Sequence, residues 1–274
     1  MPLSYIIVLL ATGVGVGFSC GLLGVGGSFI MTPVQYWVYT AMGIPTDIAI
    51  RMAFGTSLFV ILPTAISGAW GHHRKGAIRW KTALVLGSCG LAGAIAGATA
   101  AAHIPGSILK VAFGVVILIG GIRMLTGKQP KVVEEAKENV WLWLALGFPV
   151  GFIVGLIGIG GGVVMVPVMV LALKFKMHQA VGTSVAIMIL TSFGGVIGYI
   201  INGWGIAGIP SPSLGYIYTW SWLCLAVTSI IMAQVGARTA HLLPARQLSW
   251  VFIAVMFYVG LRMIGVFEWL HLPI

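Results

Sequence analysis

Charge is what this chain has least of. Asp, Glu, Lys and Arg together make up 7% of its 274 residues, against about 25% in an ordinary soluble domain. So few charges cannot cover a water-facing surface, which excludes a soluble globular protein. Acids are the scarcest. Asp47, Glu134, Glu135, Glu138 and Glu268 are all of them, each in a loop or near a segment end. No carboxylate falls in the middle of an apolar segment, so the usual proton-relay groups of membrane pumps are missing. The three cysteines, Cys20, Cys89 and Cys224, are scattered without a CxxC pair. They read as small core residues rather than a redox or metal centre. No cofactor motif is present. No basic stripe is interleaved with aromatics either, so the net charge of +10 does not point to nucleic acid. It sits in short loops, the pattern of topology signals and anionic headgroup contacts.

What fills the chain instead is hydrocarbon. It is 59% hydrophobic with a mean hydropathy of +1.07, and runs such as "YIIVLLATGVGVGF" and "VAFGVVILIGGI" recur throughout. Each is near the ~20 residues a bilayer crossing needs, and a helix is the element that satisfies its backbone inside lipid. The expectation is an all-α polytopic membrane protein embedded in the lipid bilayer. The first segment lacks a basic leader and belongs to the repeat described next, so it reads as a span rather than a cleaved signal. Trp37, Trp80, Trp141, Trp204, Tyr216 and Trp269 lie near segment ends and read as an interfacial belt. His72, His73, His103, His178 and His241, also near predicted loops, read as interfacial.

One sentence is written twice. "GLLGVGGSFIMTP" begins at Gly21 and "GLIGIGGGVVMVP" at Gly155, and residues 21–37 match 155–171 at eight of 17 positions. Gly13 and Gly17 keep the same offset from Gly147 and Gly151. "GTSL" at Gly55 answers "GTSV" at Gly182, and "GGIRML" from Gly120 answers "VGLRMI" from Val259. Such self-similarity marks duplicated units. The chain divides into a first membrane repeat, 1–125, a charged linker, 126–140, and a second membrane repeat, 141–274. Each repeat holds about five helical segments: 3–22, 28–43, 52–71, 82–102 and 107–125, then 141–157, 162–174, 180–202, 219–239 and 248–267.

Basic residues orient the halves. With the loop "HHRKGAIRWK" and the linker in the cytoplasm and five crossings per half, 12 of the 15 Lys and Arg fall inside, leaving Arg51, Lys110 and Arg262 outside. Halves of the same orientation would split them nine to six. The positive-inside rule favours the first arrangement, so two inverted-topology repeats are expected, with a cytoplasmic linker.

Glycine spacing has two meanings here. Gly13, Gly17 and Gly21, like Gly147, Gly151 and Gly155, are four apart and suit close helix packing. The denser clusters Gly24, Gly26, Gly27 and Gly158, Gly160, Gly161, Gly162 are expected to unwind the helix near the midplane. A dinucleotide fingerprint needs a βαβ unit that a lipid-embedded chain lacks. Unwound backbone at membrane depth must line protein or a watery cavity, and the next helix adds a positive dipole end. Two such breaks suit a transporter site for a small anionic substrate. Gly26, Gly27, Gly160 and Gly161 are the expected backbone donors. Ser28, Gln35, Thr56, Ser57, Thr183 and Ser184 are candidate side chains, with Thr32, Thr64, Ser67, Thr191 and Ser192 beside them. A coupling ion, sodium or proton, stays open. Arg262 is a candidate for an external anion funnel. An intramembrane serine hydrolase using Ser57 or Ser184 would need a base within reach, and none is expected at that depth, so no enzyme is expected.

With these residues in view, the chain resembles the TauE/SafE sulfite-exporter family, also called toluene-sulfonate uptake permeases. The resemblance rests on the two glycine sentences, each followed by "GTS". It implies passage of a sulfur-containing anion (sulfite, thiosulfate, sulfoacetate or an organosulfonate) across a prokaryotic plasma membrane, with the glycine-rich segments lining the path. Alternating access is the expected mechanism. An anion channel, or transport of a non-sulfur organic anion, is the alternative. Gln35 is matched by Met169, so the two sides of the site differ.

Overall fold

Apolar sequence with almost no helix-breaking run outside the two glycine clusters folds as expected into helices, and the computed structural model describes residues 2–24, 26–126, 140–239 and 245–269. In chain order these form α1 (Leu3–Leu23), α2 (Ser28–Ala41), α3 (Thr46–His73), α4 (Trp80–His103) and α5 (Gly106–Thr126). They continue with α6 (Val140–Ile157), α7 (Gly162–Leu171), α8 (Met177–Gly203), α9 (Thr219–Thr239), α10 (Ala245–Ile264) and the single turn α11 (Val266–Trp269). Seven of them, α1, α3, α4, α5, α6, α8 and α9, are long and apolar enough to cross a bilayer. The protein is an all-α polytopic membrane protein. Most of the expected linker lies outside the described residues.

α2 and α7 are shorter than the sequence suggested, at 14 and 10 residues, or about 21 and 15 Å of helix. Each starts after a glycine break and carries a proline at its sixth residue, Pro33 or Pro167. That residue cannot donate back to the first turn, which weakens both helices near their start. α3 begins at Thr46, six residues before the expected start of the segment at 52. Both charges there are put to structural use. Arg51 donates to the Ala101 and Ile104 carbonyls at 3.1 and 2.9 Å, and the Asp47 carboxylate accepts the Gly106 N–H at the start of α5. They staple the α4–α5 turn to α3 by satisfying groups that helix ends leave bare.

The segment 203–218 joins the end of α8 to α9. It folds back as a two-residue ribbon, β1 (Ser213–Leu214) against β2 (Ile217–Tyr218), that buries Tyr216, Ile217 and Tyr218. Tyr216 therefore leaves the interfacial belt. Its ring meets Tyr199 edge-on, and its N–H donates to the Tyr199 carbonyl. Trp80, Trp141, Trp204 and Trp269 remain largely exposed. His72 also departs from expectation, being buried with its Nε2 3.2 Å from the Gly21 carbonyl.

Close helix pairs are set by glycine. Cβ atoms placed at Gly13, Gly17 and Gly21 would collide with α9 at Leu225, Ser229 and Ala233 in turn, so α1 and α9 run side by side in the same sense. α6 meets α4 in the same way: Gly147, Gly151 and Gly155 abut Leu86, Gly90 and Ala94. In lipid no hydrophobic force pushes helices together, and such backbone-to-backbone contact supplies the attraction. The contacts repeat with the halves exchanged. α1 of the first half packs on α9 of the second, and α6 of the second on α4 of the first. Even a single bond is copied, for Tyr199 donates to the Gly155 carbonyl at 3.0 Å, where His72 meets that of Gly21. α3 and α8 cross the middle antiparallel, with Gly55 against Tyr199, Leu58 against Gly195 and Gly68 against Val185.

This packing predicts a sharp contrast between neighbouring glycines of α1. Gly17→Ala should lower the thermal midpoint of the purified protein, because overpacking costs about 1–3 kcal/mol and the new methyl meets the Ser229 backbone. Gly15→Ala meets nothing within 4 Å and gains up to about 1 kcal/mol of helix propensity, so its midpoint should hold or rise. Thermal unfolding of the two variants in detergent checks both.

Candidate functional site

Both glycine clusters unwind the chain, as their composition requires. α1 ends at Gly24, whose φ is +66° and whose N–H returns to the Cys20 carbonyl. α6 ends the same way at Gly158, φ +64°, with its N–H on Val154. Gly26, Gly27, Gly160 and Gly161 also hold positive φ, a region where a side chain is strained. Gly27 and Gly161 are the residues from which α2 and α7 start.

Fold places the two breaks against each other. Ser28 Oγ donates to the Ile159 carbonyl at 2.8 Å, joining positions 131 residues apart. Ser184 Oγ, on α8, donates to the Gly24 carbonyl at 3.1 Å. A Cβ at Gly160 would lie 3.3 Å from Ser28 Oγ, and one at Gly26 would lie 3.6 Å from the Ile159 carbonyl. In the second break the N–H groups of Gly160, Gly161 and Gly162 meet no protein acceptor among the described residues. They are buried donors at the positive end of α7. Between the breaks stand two apolar side chains from matching positions of the two GTS helices. Ile61 of α3 would touch a Cβ at Gly26 or Gly160, and Met188 of α8 one at Gly26 or Gly161.

From the first break a row of polar side chains runs along one face of α2. Ser28, Thr32, Gln35 and Tyr39 are spaced four, three and four residues apart, which stacks them on a single helical face. All four are fully buried. Tyr39 OH donates to Gln35 Oε1 at 2.9 Å, Gln35 Nε2 donates to Ser57 Oγ at 2.9 Å, and Ser57 shares a 3.0 Å bond with Thr32. Ser57 is thus the node that ties α2 to α3. Tyr218, edge-on to Tyr39 with centroids 5.9 Å apart, covers the end of the row with the ribbon.

The second repeat does not copy this row. At the positions equivalent to Ser28, Thr32, Gln35 and Tyr39 it carries Gly162, Val166, Met169 and Leu173. The polar surface near the breaks is therefore one-sided, supplied by α2 and α3. Tyr39 was not singled out from the sequence, although its 4-3-4 spacing with Ser28, Thr32 and Gln35 was the available signal.

The duplicated GTS divides its labour. Thr56 Oγ1 accepts the Tyr218 N–H at 3.0 Å, just before α9. Thr183 Oγ1 accepts the Arg79 N–H at 3.1 Å, just before α4. The two threonines thus pin equivalent loops. The serines differ: Ser57 joins the polar row, whereas Ser184 binds the carbonyls of Gly24 and Val181. The partners of Ser57 are a hydroxyl and an amide, and those of Ser184 are carbonyls; none is a base. Ser192 is a buried hydroxyl with no hydrogen-bond partner among the described residues, and the buried Ser221 hydroxyl faces Tyr39. Arg262, the expected funnel residue, has its guanidinium 4.3 Å from the Trp37 ring centre and donates to Tyr258 OH at 2.7 Å.

Ser57→Ala should leave Gln35 Nε2 and Thr32 without their shared partner. A buried polar group left unsatisfied costs about 1–3 kcal/mol, so the thermal midpoint should fall. Ser184→Ala removes a single O–H shared between the Gly24 and Val181 carbonyls, and its midpoint should fall less. Comparative thermal unfolding of the two variants decides the order.

Comparisons with known proteins agree with this architecture. A probable membrane transporter protein of Methanocaldococcus jannaschii is 28% identical over 264 residues, covering 94% of each chain. One of Haemophilus influenzae is 26% identical over 95% of this chain and 98% of its own. The probable membrane transporter protein YunE of Bacillus subtilis is 24% identical over 96% and 99%. No solved structure matches the chain. The model of the family described as sulfite exporter TauE/SafE matches residues 9–263, and the chain belongs to that family of membrane transporters.

Proposed function

We propose that the protein is a secondary transporter that carries a small sulfur-containing anion across the prokaryotic plasma membrane by alternating access. The observation that carries this reading is the meeting of the two glycine breaks, where the N–H groups of Gly160, Gly161 and Gly162 lack acceptors among the described residues. Buried donors without a cation or carboxylate among them favour an oxyanion, whose negative oxygens accept several N–H and O–H bonds at once. The second N–H of Gln35 and the one O–H that the Thr32–Ser57 pair does not share add donors from one side, and neutral donors release a ligand more readily than a buried Arg would. The family description, sulfite exporter, supports sulfur chemistry for the cargo.

The two repeats are inverted in this reading, with the linker cytoplasmic. Support comes from the helix directions. α1 runs with α9 and α4 with α6, while α3 opposes its counterpart α8 and α5 opposes its counterpart α10, Gly114 lying against Gly260 and Gly121 against Phe257. Repeats of the same orientation, with a re-entrant second segment, would make α3 and α8 parallel. Together with the charge count, this favours inversion. Inverted halves hinge alternately around a fixed central site. Ile61 and Met188 then act as the apolar plug that moves aside when an anion enters, and the Tyr39–Tyr218 contact closes the end of the path at the ribbon.

The purified protein, warmed with sulfite, thiosulfate, sulfoacetate or an aryl sulfonate and with sulfate and acetate as controls, should be stabilised selectively by one sulfur anion. A ligand at 100 times its Kd adds about 2.7 kcal/mol. Gln35→Leu should weaken that stabilisation, and Gly160→Leu, which strains the backbone and meets Ile61, should abolish it. Stabilisation by a carboxylate or a cation alone would overturn the reading.

A further inference from the structure

An open apolar groove lies between α5 and α7. It has a volume of about 300 Å3 and is lined by Val116, Ile119, Gly120, Arg123, Val164 and Val168 among others. Its walls are hydrocarbon, with Ile119 more than half exposed, and its one charge is Arg123, in the last turn of α5.

The internal duplication supplies a control for this groove. Arg123 corresponds to Arg262 through "GGIRML" and "VGLRMI". Arg262 is occupied by two aromatic partners, Trp37 of α2 and Tyr258 one turn earlier on α10. The corresponding sequence positions, for Trp37 and Tyr258 in turn, hold Leu171 and Ile119, residue types with neither an aromatic ring nor a hydroxyl. Arg123 itself is exposed and has no hydrogen bond or ring contact among the described residues. Arg123, on α5 of the first repeat, thus keeps the cation of Arg262 with aliphatic residues at both partner positions, beside an open apolar groove.

We propose that this groove binds an anionic glycerophospholipid, with an acyl chain between α5 and α7 and the phosphate on Arg123. Charge complementarity selects the occupant. An apolar slot ending in a guanidinium that no described residue engages fits a hydrocarbon chain joined to a phosphate, and Arg engages phosphate with two parallel N–H bonds. Because α7 starts at the glycine break, the bound lipid would brace the helix that carries the Gly160–Gly162 donors.

The test is native mass spectrometry of the full chain, equilibrated in mixed micelles with phosphatidylglycerol or with phosphatidylcholine of identical chains. Retention of phosphatidylglycerol over phosphatidylcholine is expected. Arg123→Gln should lower it about fivefold, the scale of one basic contact with an anionic membrane surface. Ile119→Tyr, which returns the missing phenol to Arg123, should lower it too, while Arg262→Gln leaves it unchanged. Equal retention of the two lipids would overturn the proposal. So would an unchanged Arg123→Gln, or competition by glycerol phosphate as effective as that of the intact lipid. None of these readouts depends on transport, so this inference stands or falls apart from the cargo.

Discussion

The hydrogen bond from Ser28 to the Ile159 carbonyl marks the constraint on which this structure depends. Inside a bilayer every broken helix leaves backbone groups that water cannot satisfy. The protein breaks two helices at the same place and lets each break, with its neighbours, partner the other. Ser28 and Ser184 take up carbonyls, and the glycine caps return their N–H groups to the preceding turns. What is left over in the second break is a set of buried donors. Surrounding helices must hold these two irregular segments together without hydrophobic force between them, which is why glycine lines α1 against α9 and α6 against α4.

Duplication gave the protein a frame with two equivalent halves and then let their chemistry diverge. The frame is preserved in pairs: Thr56 and Thr183 pin equivalent loops, His72 and Tyr199 hold equivalent carbonyls, and Ile61 and Met188 cover the breaks together. Divergence is concentrated on the faces of α2 and α7. One carries Ser28, Thr32, Gln35 and Tyr39, and the other carries Gly162, Val166, Met169 and Leu173. A similar divergence separates Arg262, boxed by aromatics, from Arg123, left beside an apolar groove. Each repeat thus serves as an internal control for the other, and departures from their symmetry locate the specialised surfaces.

The sequence by itself determined that the chain lives in lipid, that it consists of two related halves, and where its helices break. Those properties follow from composition and local glycine density, which act within a turn or two of chain. It also placed Ser28, Gln35, Ser57 and the glycine clusters near one another in expectation, because the repeat put them at matching depths. Short α2 and α7 were less legible, since an apolar run does not reveal where its helix stops.

Partnership between distant residues was decided only by the tertiary structure. Nothing local distinguishes Thr56 as a pin for Tyr218, Ser57 as the node for Gln35, Asp47 and Arg51 as staples of the α4–α5 turn, or Tyr216 as buried rather than interfacial. Each of these roles depends on which backbone group or ring another segment, often more than 50 residues away, brings within about 3 to 6 Å. A side chain's hydrogen-bonding capacity is written in the sequence, but in a medium without water its partner is chosen by whichever helix packs against it.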